Sequence, residues 1–254
     1  MKHLLLSLCL FIACAQVSVA QRVSDRERDG FVGPVKRVSV ESSPIHRSWE
    51  DVPVGARCRS STNVYDEAGR LTQYSLYPGT CGEDEVRMDF TYAQDGSRTT
   101  KYQEIRGENS PPPPPPPAPP PGSASAEKGP ARKVSKYDPS GRLAEEATIM
   151  PSGRVLYKTN YSYDAKGRLI ETASGGAAGS VSRSVYTYTG EDRVPSGYAY
   201  VGSDGKMYEK TAYSDYEFNP RGDWVKRKVT TEGTFNRRSV SWTFREIEYY
   251  PSGK

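Results

Sequence analysis

The residues that could do chemistry are few. Beyond position 20 the only histidine is His46, so Ser-His-Asp triads, Cys-His dyads and multi-histidine metal sites all lack parts. His46 lies in a polar, loop-like stretch from Ser42 to Glu50, which suits an exposed side chain. Carboxylates come in adjacent groups, Glu83-Asp84-Glu85, Glu145-Glu146 and Glu191-Asp192, and a pair of acids flanking a bond is what glycoside hydrolysis needs. Neighbours along a strand point to opposite faces, and most of these groups fall in or near turns, so their solvated reading outweighs a hydrolase. No nucleophile elbow, phosphate loop or dinucleotide fingerprint is present. The Asp-Gly turns also lack the alternating oxygen ligands of an EF-type calcium loop. The expectation is a protein without catalytic residues, cofactor or metal.

What remains is aromatic. The chain has 18 tyrosines, and Tyr161, Tyr163, Tyr186, Tyr188, Tyr198 and Tyr200 recur two apart, as do Phe90 and Tyr92 or Trp242 and Phe244. Residues two apart share one face of a strand, so one sheet face is aromatic and the other Ser, Thr, Lys and Arg. The six tyrosines are the candidate ligand platform, since sugars stack on aromatic rings. Against this stands the plainer reading, that alternating tyrosines are the packing face of a sheet.

The elements that would position these rows are set by a repeated heptad, Tyr65-Asp-Glu-Ala-Gly-Arg-Leu71, Tyr137-Asp-Pro-Ser-Gly-Arg-Leu143 and Tyr163-Asp-Ala-Lys-Gly-Arg-Leu169. Asp can bond its side chain to a backbone amide two residues on, Gly can take the positive φ that closes a short hairpin, and Arg and Leu begin the return strand. Looser turns, such as Pro151-Ser-Gly-Arg154, Ser203-Asp-Gly-Lys206 and Asn219-Pro-Arg-Gly-Asp223, follow at strand-sized spacings. The predicted fold is all-β, an antiparallel β-hairpin repeat array forming a meander sheet, open or partly rolled. Leu143 to Met150 has helical propensity in its Ala-Glu-Glu-Ala core but follows a heptad, and is read as a strand.

Residues 1–20 have the layout of a removable secretory leader: Lys2 and His3, an apolar run from Leu4 to Ala13, and Ser18-Val19-Ala20 before Gln21. Lipidation at Cys14 ranks second, because Phe11-Ile12-Ala13-Cys14 only distantly resembles a lipoprotein box. No later stretch is apolar enough to span a membrane as a helix. The chain then divides into hairpins over 21–110, a proline-rich loop or linker over 111–130 and further hairpins over 131–254, the two hairpin sets read as one array. Ten prolines within 111–121 cannot join a ladder and imply an extended spacer. After residue 20 the 35 Lys+Arg lose only Lys2 and face 31 Asp+Glu. This near balance argues against a nucleic-acid partner, and Lys226-Arg227-Lys228 and Arg237-Arg238 read as solvated strand faces. Leu, Ile, Val and Phe supply 33 of those 234 residues, so tyrosine must furnish much of the core. Cys58 and Cys81 flank the first clear hairpin. In an oxidising compartment they are expected to bridge and stabilise it by roughly 3 kcal/mol.

The heptads resemble the YD repeats of the Rhs family, and Gly33-Pro-Val-Lys-Arg-Val38 and Phe218-Asn-Pro-Arg-Gly-Asp-Trp224 are similar to phrases in small exported bacterial YD-repeat proteins. The resemblance runs from about Gly33 onward. It implies β-hairpin arrays, export and a link to carbohydrate binding; in large members the repeats form a shell around a toxin, for which this chain has too few hairpins. The expected function is therefore a non-enzymatic exported binding or scaffold module, periplasmic, outer-membrane-associated or secreted, with a glycan or surface protein as partner. The first alternative is a structural component joined to a larger assembly through open sheet edges.

Overall fold

The computed structural model describes residues 23–44, 56–78, 84–94, 97–107, 131–176, 179–190, 192–234 and 237–251. The leader over 1–20, Cys14, His46, Cys81 and the proline-rich 111–130 lie outside them. One short helix, α1 (Asp25–Arg28), precedes fourteen strands: β1 (Val35–Pro44), β2 (Cys58–Tyr65), β3 (Leu71–Leu76), β4 (Glu85–Tyr92), β5 (Arg98–Ile105), β6 (Arg132–Tyr137), β7 (Leu143–Ile149), β8 (Val155–Tyr163), β9 (Leu169–Gly176), β10 (Val181–Thr187), β11 (Gly197–Val201), β12 (Met207–Phe218), β13 (Trp224–Gly233) and β14 (Arg237–Tyr249).

The heptad turns form as their residue types require. In each, the Asp backbone N–H donates to the Arg carbonyl and the Gly N–H donates back to the Asp carbonyl, at 2.8 to 3.0 Å in the turns of Asp66, Asp138 and Asp164. The Asp carboxylate then accepts twice from the Arg four residues on, at its backbone N–H and at Nε, for instance 2.9 and 2.7 Å from Arg168 to Asp164. Gly69, Gly141 and Gly167 have φ of +80°, +83° and +80°, a conformation that side chains with a Cβ rarely adopt. Register shifts beside Tyr65, Tyr137 and Tyr163 mark the bulge that accompanies such turns. Leu143–Ile149 is a strand, as its place after a heptad predicts.

Each heptad also grips its neighbour. Arg70, Arg142 and Arg168 lie over the rings of Tyr92, Tyr163 and Tyr188, 5.2, 4.9 and 4.5 Å from their centroids. Those same tyrosines donate their hydroxyls to the carbonyls of Leu71, Leu143 and Leu169, each at 2.9 Å. The Leu and Arg of one heptad thus hold the tyrosine at, or one residue past, the end of the next even-numbered strand, and these hairpins are clasped to their neighbours. Tyr216, bonded to the Pro195 carbonyl at 2.7 Å, extends the series without a full heptad.

The sheet is closed, not open or partly rolled. Every strand pairs with its sequence neighbours, and β1 pairs with β14 from Val35↔Tyr249 to Pro44↔Ser241. An even number of strands in a meander makes the first and last antiparallel, so once the twist has brought them round they complete the ring with ordinary ladder bonds. The Tyr250 hydroxyl fastens this junction onto the Tyr65 carbonyl at 2.7 Å. β1 and β14 fill each other's edges, which removes the terminal open edges that assembly by strand addition would need. Among the described residues the narrowest seam is β5 to β6, where two residue pairs are in register, Arg98↔Lys133 and Thr99↔Arg132.

In an up-and-down barrel all turns that follow even-numbered strands share one rim. The heptad turns do so, and residues 23–33 lie across that rim. Val23 and Arg26 donate backbone N–H groups to the carbonyls of Gly141 and Gly69, and Val32 donates to the Asp223 carboxylate. A capping box between Ser24 and Glu27 starts α1. One short segment can reach β2, β4, β7 and β13 together only across the mouth of the ring, so the side chains it meets face the lumen. The small apolar core sits there, with Phe31, Val35, Val38 and Tyr65 buried against Val40, Leu71, Ile247 and Tyr249.

The opposite parity faces outward, and it is charged. Glu145 bridges Lys136 and Lys158, Arg87 pairs with Glu85, and Lys36 pairs with Glu248. Such a wall suits water and not the apolar belt of a bilayer-spanning barrel.

Candidate functional site

The lumen holds two different environments. At the heptad rim it is ionic and sealed. Asp25 and Arg28 of α1 pair at 2.8 Å, and Asp25 also accepts the Leu71 N–H and the Tyr92 hydroxyl at 2.9 and 2.7 Å. Burial works against the Asp25 charge, but Arg28 and these hydrogen bonds outweigh it and hold the carboxyl below the ordinary range. Deeper in, Glu146 receives Arg98 at 3.4 Å, Lys133 at 3.0 Å and the Tyr161 hydroxyl at 2.9 Å. Burial would raise its pKa, yet the two cations keep it lowered. Asp29, bonded to the Tyr65 hydroxyl at 2.5 Å, is pushed up by its burial.

At the opposite rim the lumen opens into a pocket of about 460 Å³ formed where β8, β9, β10, β11 and β12 end or begin. Its aromatic walls are Tyr157, Tyr200 and Tyr208, which remain 47%, 39% and 41% exposed. Ser174, Ser180, Ser182 and Ser203 add hydroxyls, and glycines complete the lining, which among the described residues includes no charged side chain. The sequence makes this space directly. Tyr157 stands opposite Gly176 in the ladder, where no side chain competes with the ring. A Cβ on Gly202 would collide with the Tyr208 ring, so only glycine lets that ring lie against the turn. Tyr208 donates its hydroxyl to Asp204 at 3.0 Å, and its ring lies 6.4 Å from that of Tyr200.

The structure spreads the six tyrosines of the sequence-based platform along the lumen instead of gathering them on an outer surface. Tyr163 and Tyr188 are clasp residues, Tyr161 is bonded to Glu146, and Tyr198 donates to Glu209. Tyr186 and Tyr198 face each other with centroids 6.1 Å apart. Tyr200 alone of the six lines the pocket. Its companions Tyr157 and Tyr208 escaped the sequence pattern because each stands just after a turn, although Tyr157 lies four residues before Tyr161 on the same strand face.

The carboxylate groups are not brought together as acid pairs. Glu145 points outward and Glu146 inward, as the strand period requires, and Glu85 is engaged by Arg87. Asp84 accepts the Gly107 N–H; Glu83 and Glu191 lie outside the described residues. Cys58 is disulfide-bonded, and the other three cysteines lie outside the described residues. The Lys226-Arg227-Lys228 run is not a uniform solvated face. Arg227 turns inward onto Tyr213 and Trp224, while Lys226 lies over the outward Trp242.

No family model matches the chain, and no curated protein matches it. Among solved structures it is similar to a porin-like protein from Bacteroides uniformis, with 11% identity over 86% of this chain and 98% of that one and a TM-score of 0.44. It is also similar to an outer membrane lipoprotein-sorting protein domain from Vibrio parahaemolyticus, with 11% identity over 87% and 89% of the two chains and a TM-score of 0.33. A third is the Tc holotoxin pore of Photorhabdus luminescens, with 16% identity over 79% of this chain but 9% of that one and a TM-score of 0.32. At these scores none of the three bears on function, which has to be read from the barrel's own side chains.

Proposed function

We propose that the protein is a non-enzymatic, exported binding barrel of the YD-repeat kind, and that its open rim holds a neutral carbohydrate. The observation that carries this reading is the pocket of Tyr157, Tyr200 and Tyr208. Its volume falls within the roughly 300–1,000 Å³ of ligand sites, and it combines exposed ring faces with hydroxyls and backbone. Sugar C–H faces stack on such rings while their hydroxyls need neutral donors and acceptors, and the uncharged lining imposes no counter-ion. Among the described residues none in the pocket supplies a general acid and base pair, so binding without turnover is the chemistry its lining offers. The three heptads acting as identical clasps support the YD-repeat reading, and the water-suited outer wall agrees with a barrel beside or outside a membrane.

A glycan array probed with the full chain, followed by calorimetry on the best neutral oligosaccharide, tests the reading. Tyr200→Ala and Tyr208→Ala are each expected to weaken binding at least tenfold with an unchanged circular-dichroism spectrum. An array with no neutral glycan bound, or variants that bind as well as the parent, would overturn it.

A further inference from the structure

At the heptad rim, two inward-facing arginines are half-buried, with the Nε of each enclosed, and among the described residues neither has a paired carboxylate. Arg227 of β13 lies over the Tyr213 ring at 3.7 Å and over Trp224 at 4.2 Å. Arg245 of β14 lies over Trp224 at 3.6 Å and over Phe31 at 4.7 Å. The order Tyr213, Arg227, Trp224, Arg245, Phe31 is a ladder of alternating rings and cations. Among the described residues neither arginine makes an ion pair, and the Nε of each is sealed from solvent without an acceptor.

Cation–π contacts recover part of the cost of burying a guanidinium. They use only its flat faces. Its N–H groups radiate from the edge, five on each arginine, and these want oxygen acceptors in the guanidinium plane. The nearby carboxylates are otherwise occupied: Asp29 by the Tyr65 hydroxyl, and Asp223 by the Val32 N–H at 2.7 Å and the Tyr249 hydroxyl at 2.6 Å. Burial, reinforced by Arg227, pushes Arg245 down to about 9, the response of a cation short of negative charge. Both residues keep part of their surface accessible, and as inward-facing residues of a closed ring they present it on the lumen side.

We propose that Arg227 and Arg245 form an oxyanion site within the barrel, taking the carboxylate or sulfate group of an acidic ligand between aromatic rings. Planar guanidinium edges match such oxygens two at a time. The rings of Phe31, Tyr213 and Trp224 hold the arginines flat and keep water from competing. This site is independent of the neutral pocket at the other rim.

The test uses Trp224 itself as reporter. In the full chain carrying Trp49→Phe and Trp242→Phe, indole fluorescence is titrated with sodium glucuronate, acetate and sulfate at ionic strength held constant with sodium chloride. A saturable change is expected, with glucuronate and acetate alone responding if the site selects carboxylates, and sulfate alone if it selects sulfated groups. Arg245→Met and Arg227→Met should each raise the apparent Kd at least tenfold, and Tyr200→Ala should leave it unchanged. Circular dichroism confirms folding, and Arg227→Lys, which keeps the charge but loses the planar edge, serves if a methionine variant does not fold. The thermal midpoint of the unsubstituted chain should rise with the responding anion. No saturable response, an equal response to chloride, or the same Kd in the folded arginine variants would overturn the proposal.

Discussion

The two rims of the barrel are built from the same strands and differ in almost everything else. The heptad rim is over-determined: turns locked by Asp–Arg pairs, tyrosines bonded to their neighbours' backbone, and the segment 23–33 drawn across the mouth. The opposite rim is left with exposed aromatic rings, including Tyr102 at 58% as well as the pocket tyrosines. The difference teaches a division of labour within a meander. Because the chain reverses at alternate ends, a motif placed after even-numbered strands concentrates stability at one rim and frees the other for contact with ligands.

Perturbations that act on one rim only can sharpen this contrast. The largest effect is expected at the sealed rim, where Phe31→Ala removes a ring that is 6% exposed and should cost about 3 to 5 kcal/mol, read from urea denaturation. Loss below 1 kcal/mol would show that the segment 23–33 is not part of the folded core.

Acid should attack the same rim next. Glu146 and Asp25 have folded pKa values below their ordinary 4.5 and 3.8, so the unfolded chain takes up protons first as pH falls. Their stabilisation is complete above pH 4.5 and declines progressively below it. Asp29, whose pKa is raised, contributes with the opposite sign and softens the loss. Denaturation midpoints measured from pH 6 to pH 3 should fall, with a smaller slope in Glu146→Gln; a flat profile would contradict the ionic picture.

A single clasp is smaller still. Tyr163→Phe keeps the ring under Arg142 but deletes the bond to the Leu143 carbonyl, and about 1 kcal/mol should be lost. At the open rim Tyr200→Ala should change stability by less than about 0.5 kcal/mol. A larger loss there would mean that the pocket tyrosines also act as core.

The heptads made the hairpins legible before any coordinates, because Asp, Gly and Arg each have a local reason to stand where they do. Closure was not legible. Whether β1 meets β14 depends on strand number and accumulated twist, which no single motif encodes. The segment across the mouth is hard to see in the sequence although Ser24-Asp-Arg-Glu27 is missing nothing a capping sequence needs: Ser24 and Glu27 stand three apart, but four helical residues give no periodicity to notice. Arg227 was hidden for another reason. Flanked by Lys226 and Lys228 it looked like part of a solvated run, and only the strict alternation of the strand places it inside while its neighbours stay out. In the site, Tyr200 was found by its alternation with Tyr198, whereas Tyr157 and Tyr208 sit at strand starts, where pattern is shortest.

A ring of clasped hairpins has no end from which to fray. Opening must instead begin by splitting somewhere along the circumference, and among the described residues the two-pair junction between β5 and β6 is the narrowest stitch. Once it parts, the former cylinder becomes a sheet with two raw margins at Arg98 and Arg132, and unravelling can travel outward in both directions from there. The backbone amides flanking that junction should therefore be the first of the barrel wall to trade their hydrogens with solvent, while those of β12 and β13, on the far side of the circle, are among the last.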